Sequence, residues 1–212
     1  MKREGILLVI SGPSGSGKGV LVQKILSRRT DIGLSVSATT RAPRTGEVNG
    51  VSYHFMTKER FKEQLENGDF LEYNEYAGNF YGTPKNEVVS RIAEGISVIL
   101  EIDVHGAMNV KRQYPDAVLL MIAPPDYPTL EKRLRGRGDD VAEEVIEKRL
   151  ATAKDELAQL PAYDYLVINL DGEADKAADE ISAIIDAEKN KVSRTPGFTE
   201  QFYKNQHNFS VR

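Results

Sequence analysis

The 212-residue chain has no cysteine, which excludes disulfides, thiolate nucleophiles and cysteine-ligated zinc. Its three histidines are scattered at His54, His105 and His207, so a histidine metal cluster is not expected. No apolar run approaches the roughly 20 residues of a membrane helix. Met1-Lys-Arg-Glu-Gly leads straight into a short apolar segment, without the longer stretch and small-residue cleavage site of a secretory signal. A cytoplasmic location is the resulting expectation. A large excess of one charge is missing too: the net charge is −4, which argues against a general binder of nucleic acid or of membrane surfaces.

What the chain does have stands near its start. The apolar run Ile6–Ile10 is followed by Gly12, Pro13, Ser14, Gly15, Ser16, Gly17, Lys18, Gly19 and Val20. This is the G-x-x-x-x-G-K phosphate loop in its confirming context, a strand before and a helical pattern (Val20, Leu21, Ile25) after. Glycines let the backbone turn its N–H groups inward around phosphate oxygens, and the helix adds its positive end. Lys18 is placed to reach the β- and γ-phosphates of a nucleoside triphosphate. The pattern calls for Ser or Thr after the lysine, whose hydroxyl ligates Mg²⁺. Here Gly19 and Val20 offer none. Either phosphates and water hold the metal, or catalysis is impaired.

Short apolar runs alternating with helical patterns predict an α/β fold with a parallel sheet covered by helices. The expected strands are Ile6–Ser11, Leu34–Ala38, Ser97–Ile102, Ala117–Ala123 and Tyr165–Asn169, a five-stranded core with helices on both faces. A segment rich in Tyr and Phe interrupts it. Val51–Met56, Phe70–Ala77 and Phe80–Thr83, punctuated by Gly78-Asn79, read as a small mixed β insert forming its own lobe, with a short helix capped by Thr57. Pro124-Pro-Asp126 ends a strand before a helix at Tyr127–Leu134. The glycine- and charge-rich loop Arg135–Asp140 and a long helix from about Val141 to Leu160 have the composition of a helical lid. After a last helix at about Glu173–Asn190, a tail without periodicity is expected from about 191 to 212.

A second anion site is encoded in Ser37-Ala-Thr-Thr-Arg41-Ala-Pro-Arg44-Thr-Gly-Glu-Val-Asn-Gly-Val-Ser-Tyr53. Arg41 and Arg44, held in a loop by Pro43, can fork around one phosphate. Tyr53 and Tyr81 offer hydroxyls to the same anion. Two phosphate sites in one chain point to movement of a phosphoryl group between them.

Across about Gly5 to Ala187 the sequence resembles the guanylate kinases, a nucleoside monophosphate kinase family on the P-loop fold. The resemblance rests on the phosphate loop, the Ser37–Tyr53 stretch, Phe70-Leu-Glu72-Tyr, Gly78-Asn-Phe-Tyr-Gly-Thr83, Leu100-Glu-Ile-Asp103-Val-His-Gly106 and Arg133-Leu-Arg-Gly-Arg137-Gly138. It implies transfer of the γ-phosphoryl group of ATP to GMP in purine nucleotide metabolism, with Mg²⁺ accompanying ATP. It further implies a core of about 4–36, 86–126 and 156–190, a GMP-binding lobe of about 37–85 and a lid of about 127–155 within a domain spanning 4–190.

The resemblance also assigns residues. Glu72 would read guanine, helped by Ser37 and Thr83; one carboxylate can accept from the adjacent N1–H and N2 amino group, whereas adenine presents a lone pair at N1. Arg41, Arg44, Tyr53 and Tyr81 would hold the GMP phosphate. Glu101 and Asp103 would stand near GMP and the metal, with Asp103 linked to Mg²⁺ through water and no direct protein ligand. Asp103 also precedes a helical stretch, where a simple N-cap competes with that role. Arg133, Arg137 and Arg149 match lid and lid-helix arginines, with Lys18, Arg44, Arg137 and Arg149 as the catalytic set; Arg133 and Asn169 would lie at ATP. His105 stands where the family more often has glutamine. A non-catalytic GMP-binding module, or a kinase with another phosphorylated acceptor, competes with this reading. The partners expected are the small molecules ATP and GMP, not nucleic acid or membrane, with the chain a monomer or homodimer.

Overall fold

The computed structural model describes residues 4–136 and 142–204. Strand β1 (Leu7–Ser11) carries five buried residues in a row, as a strand covered on both faces must. Helix α1 (Lys18–Arg28) follows, then β2 (Ile32–Leu34), β3 (Ala38–Thr39), β4 (His54–Phe55), α2 (Lys58–Glu66), β5 (Phe70–Tyr76), β6 (Asn79–Pro84) and α3 (Lys85–Ala93). The chain continues through β7 (Ser97–Glu101), α4 (Val104–Gln113), β8 (Val118–Ala123), α5 (Tyr127–Arg135) and α6 (Glu143–Leu157). It ends with β9 (Tyr165–Ile168), α7 (Ala174–Lys189) and α8 (Phe198–Lys204). None of the described helices is long and apolar enough to cross a membrane.

The main sheet is five-stranded and parallel, in the order β2-β7-β1-β8-β9. Alternation along β1 divides the core. Leu8 and Ile10 pack with Leu21 and Ile25 of α1 and Ile181 and Ile185 of α7. Leu7 and Val9 face the other way, against Val88 and Ile92 of α3 and Ala107 and Val110 of α4. The second sheet, β4-β3-β6-β5, is mixed: β3 pairs parallel with β4, and β6 antiparallel with β3 and β5. Phe61 of α2 stacks on Phe70 at 4.4 Å and Phe80 at 5.4 Å to build its small core. Helices α5 and α6 share a separate cluster of Leu130, Leu134, Ile146, Leu150 and Ala153.

Four expectations need correction. The strand expected at Leu34–Ala38 is two: Ile32–Leu34 belongs to the main sheet and Ala38–Thr39 to the second, the intervening residues carrying the chain between sheets. Val51–Met56 shrinks to His54–Phe55, because Val51 and Ser52 donate back to the Val48 carbonyl in a turn. The β5–β6 hairpin turns at Ala77-Gly78 rather than Gly78-Asn79, since Tyr76 pairs with Asn79 and both turn residues have positive φ, 50° and 74°. The long helix stops at Leu157 and is followed by a single turn at Leu160–Ala162, where Pro161 cannot donate to an α-helical ladder. The described part of the tail, up to Lys204, is also more ordered than expected; the rest of it lies outside the described residues. Arg194 donates to the Asp116 carbonyl at 2.7 Å, and α8 follows. The loop expected at Arg135–Asp140 lies outside the described residues from Arg137 onward.

Candidate active site

The phosphate loop leaves β1 at its carboxyl end, where ligands of parallel sheets gather. Gly12, Gly15 and Gly17 have φ of 146°, 92° and 89°, which side-chain-bearing residues rarely adopt. A Cβ at Gly12 would also run into the Ile122 carbonyl, and one at Gly17 into Nδ2 of Asn169. The loop closes by a Ser16 N–H bond to the Pro13 carbonyl at 3.0 Å. The Lys18 ammonium folds back over it, donating to the carbonyls of Gly12 and, at 3.2 Å, Pro13.

A brace supports the loop from behind. Buried Asn169 donates from Nδ2 to the Ser16 carbonyl at 2.8 Å. Arg133 donates from Nη2 to the Asn169 carbonyl at 2.7 Å and to Asp171 at 2.6 Å. That bond holds the Asp171 carboxyl below its ordinary range.

In front of the loop lies a cavity of about 870 Å³. It runs from Gly12, Lys18, Gly19 and Val20 to Ser37 and Tyr53, just ahead of β3 and β4, and Thr83 of β6, along a wall of Leu100–Asp103. A smaller cavity of about 250 Å³ shares Ser37, Tyr53, Glu101 and Asp103 with it and adds Glu72, Asn74, Tyr76 and Tyr81. The register explains the grouping. Glu72 pairs with Thr83 and Asn74 with Tyr81, so two successive same-face pairs of the β5–β6 ladder turn toward the cavities.

Glu72 is only 6% exposed and accepts from the Thr83 hydroxyl at 2.7 Å. Burial pushes its carboxyl up, against the Thr83 bond, and the nearby charge of Asp103 adds to the rise. Glu101 is likewise pushed up by burial and drawn down by Lys18. Asp103 caps α4, its Oδ1 accepting from the Gly106 N–H at 2.7 Å, and its Oδ2 accepts from Asn74 at 3.2 Å. The N-cap expectation therefore holds, beside a place in both cavities.

Arg41 lies over the rings of Tyr53, at 5.5 Å, and Phe55, at 5.8 Å. Its guanidinium donates to Glu47 at 2.8 Å, while the other Glu47 oxygen accepts the Arg44 N–H at 2.7 Å. These bonds hold the Glu47 carboxyl low. The Arg44 side chain is exposed.

Sequence reasoning thus named most of the cavity wall. Ser37, Tyr53, Glu72, Tyr81, Thr83, Glu101 and Asp103 come together with the phosphate loop. Arg133 and Asn169 stand behind that loop rather than along the cavity. Arg149 is half-buried on α6, outside both cavities, and Arg137 lies outside the described residues. Glu47, Asn74 and Glu156 were missed. Glu156, near the end of α6, lines the larger cavity; burial pushes its carboxyl up, and Lys18 and His105 draw it down while Asp103 adds to the rise. No periodicity marks a lone acid on a helix or an asparagine on a strand, so only Glu47, within the arginine loop, carried a usable hint.

The residues fit a metal delivered with a nucleotide. Among the described residues no cluster of three or more acidic or histidine side chains could hold an ion by itself. The Glu101 oxygens lie 3.7 and 3.9 Å from the place a Gly19 Cβ would occupy, so a carboxylate faces the position without its hydroxyl. Mg²⁺ keeps several waters and leans on substrate phosphates, which suits such a donor set.

A parallel sheet ordered β2-β7-β1-β8-β9, with a glycine loop wrapped between β1 and α1 and a second sheet across a shared cavity, defines a P-loop nucleotide-binding protein. The chain belongs to the guanylate kinase family, whose model matches residues 4–188. It is 47% identical to a guanylate kinase of Clostridioides difficile over 91% of this chain and 92% of that one. Against a guanylate kinase of Streptococcus thermophilus the identity is 47%, over 93% of each chain. The crystal structure of guanylate kinase from Anaplasma phagocytophilum superimposes with a TM-score of 0.74 at 32% identity, covering 99% of each chain.

Proposed function

We propose that this chain catalyses ATP + GMP → ADP + GDP, in purine nucleotide metabolism and in the cytoplasm. The observation that carries the reading is the pair of adjoining cavities that share Ser37, Tyr53, Glu101 and Asp103, the larger running from the phosphate loop to Thr83 and the smaller holding Glu72, which accepts from Thr83. ATP lies over Gly12–Val20, with Lys18 turning from the loop carbonyls to the β/γ-phosphates. GMP lies against the insert lobe, with guanine on Glu72, Ser37 and Thr83 and its phosphate on Arg41, Arg44, Tyr53 and Tyr81. Arg137 and Arg149, from the lid of about 127–155, neutralise charge on the group in transfer. Arg133 and Asn169 serve ATP through the loop they brace.

Phosphoryl transfer needs alignment more than covalent help from the protein. One oxygen of the GMP phosphate attacks the γ-phosphorus and the bond to the β–γ bridging oxygen breaks, so no protein nucleophile is required. Approach of lobe and lid toward the core excludes water and suppresses ATP hydrolysis. Mg²⁺ bound with ATP would supply charge neutralisation; Glu101, whose oxygens face Gly19, would help Asp103 hold it through water.

A coupled assay of ADP release with ATP and GMP tests the reading, with Lys18→Ala as its blank. GMP-dependent ADP release in the wild type and not in the variant is expected. GMP binding without ADP release would instead support a non-catalytic module, and a preference for AMP or UMP another acceptor.

A further inference from the structure

We propose that Asn74 is a positioning residue for base specificity, holding the Asp103 carboxylate toward the exocyclic amino group of the acceptor base. The proposal rests on the acceptor being GMP. It begins from β5, where Asn74 follows Glu72 by two residues and so shares its face. Both residues line the smaller cavity, with Asp103 opposite them on the β7–α4 junction. Asn74 donates from Nδ2 to Asp103 Oδ2 at 3.2 Å, a bond reaching from the second sheet to the main-sheet side of the site.

The acceptor chemistry gives this bond a purpose. Guanine presents three N–H bonds on one edge, one at N1 and two at the 2-amino group. Glu72 has two oxygens for them, and Oε1 already accepts from the Thr83 hydroxyl. A further acceptor completes the edge, and Asp103 lies close by: Glu72 Oε2 and Asp103 Oδ1 are 3.3 and 3.4 Å from the place a Gly106 Cβ would occupy, and both residues line the smaller cavity. Two carboxylates so placed repel each other and swing apart unless donors hold them. The Gly106 N–H fixes one Asp103 oxygen, and Asn74 fixes the other on the cavity side. Asn74 thereby sets the direction in which the remaining lone pairs of Asp103 point.

The test compares GMP with IMP, which has hydrogen in place of the 2-amino group, in wild type, Asn74→Ala and Asn74→Asp. Steady-state kinetics and calorimetric titration of each monophosphate are run together. The wild type is expected to prefer GMP. Asn74→Ala should raise the GMP KM and Kd about tenfold, the worth of one hydrogen bond to a charged group, while the IMP and ATP constants stay within about twofold. The GMP:IMP ratio of kcat/KM then falls about tenfold. Asn74→Asp keeps the size and loses the donor, so it should lose at least as much discrimination. Equal weakening of GMP and IMP would make Asn74 a mere tie between the sheets and overturn the proposal, as would an unchanged ratio in either variant. A wild type that phosphorylates both acceptors equally would overturn the role of Asp103. A wild type that phosphorylates neither would overturn the kinase reading itself.

Discussion

The Glu47 carboxylate spans the arginine loop, one oxygen on the Arg41 guanidinium at 2.8 Å and the other on the Arg44 N–H at 2.7 Å. It ties the Arg41 guanidinium to the backbone at Arg44 and so holds the loop that carries both arginines in one shape. Glu47→Ala should leave both arginines present on a loosened loop. The expected result is a GMP KM raised roughly three- to tenfold with the ATP KM unchanged, because only acceptor binding loses preorganisation. Initial rates at varied GMP check this; a change confined to ATP would reject it.

Glu72 sets function against stability. Its folded-state carboxyl titrates above the ordinary glutamate value because it is buried. A raised folded pKa means the residue favours folding below the unfolded pKa and loses that contribution as pH rises through the folded value. Glu72→Gln removes the charge and can keep the Thr83 bond, so the variant should be more stable than wild type, by a margin that opens as pH rises above the ordinary glutamate range. The same change should weaken GMP by tenfold or more, since an amide cannot accept from two base N–H groups. Wild-type GMP affinity should fall as pH drops through the raised window. Thermal melts from acid to neutral pH, paired with calorimetry, test both signs.

Gly19 leaves room that Glu101 overlooks, its oxygens 3.7 and 3.9 Å from a notional Cβ. Gly19→Ser therefore introduces a hydroxyl without backbone collision. The Mg²⁺ concentration for half-maximal rate should fall. An unshifted titration would mean water bonded to Glu101 already fills that place, and Glu101→Gln should then raise the Mg²⁺ requirement.

How far the sequence could carry the fold depended on the range of the forces involved. Buried strands such as Val118–Ala123 announce themselves by unbroken apolar runs, and the phosphate loop by glycines whose backbone angles other residues avoid. The division of Leu34–Ala38 between two sheets had no local signature, because its alternating pattern suits either sheet. Site residues followed the same rule. Glu72 and Thr83 are legible from the family motifs that contain them, whereas the Asn74–Asp103 bond joins residues 29 apart and needs the folded register to appear. Asn169 shows the limit most clearly: the resemblance put it beside ATP, and only the fold shows that its amide nitrogen is engaged with the loop backbone.

That engagement leads to a test separating bracing from base reading. The Asn169 amide donates to the Ser16 carbonyl at 2.8 Å and occupies the space a side chain on Gly17 would need. Asn169→Ala would leave a buried carbonyl unpaired and a gap beneath the loop, at a cost of about 2 kcal/mol. For a chain of this size that corresponds to a melting temperature lower by about 4–8 °C. A loosened loop should bind every triphosphate more weakly, so ATP, GTP and inorganic triphosphate should all lose affinity by a similar factor while GMP keeps its own. If Asn169 instead reads adenine, ATP alone should weaken and inorganic triphosphate should bind as before. Titration of the three donors against wild type and variant distinguishes the two roles, and a variant with unchanged melting and unchanged affinity for all of them would show that the brace carries neither.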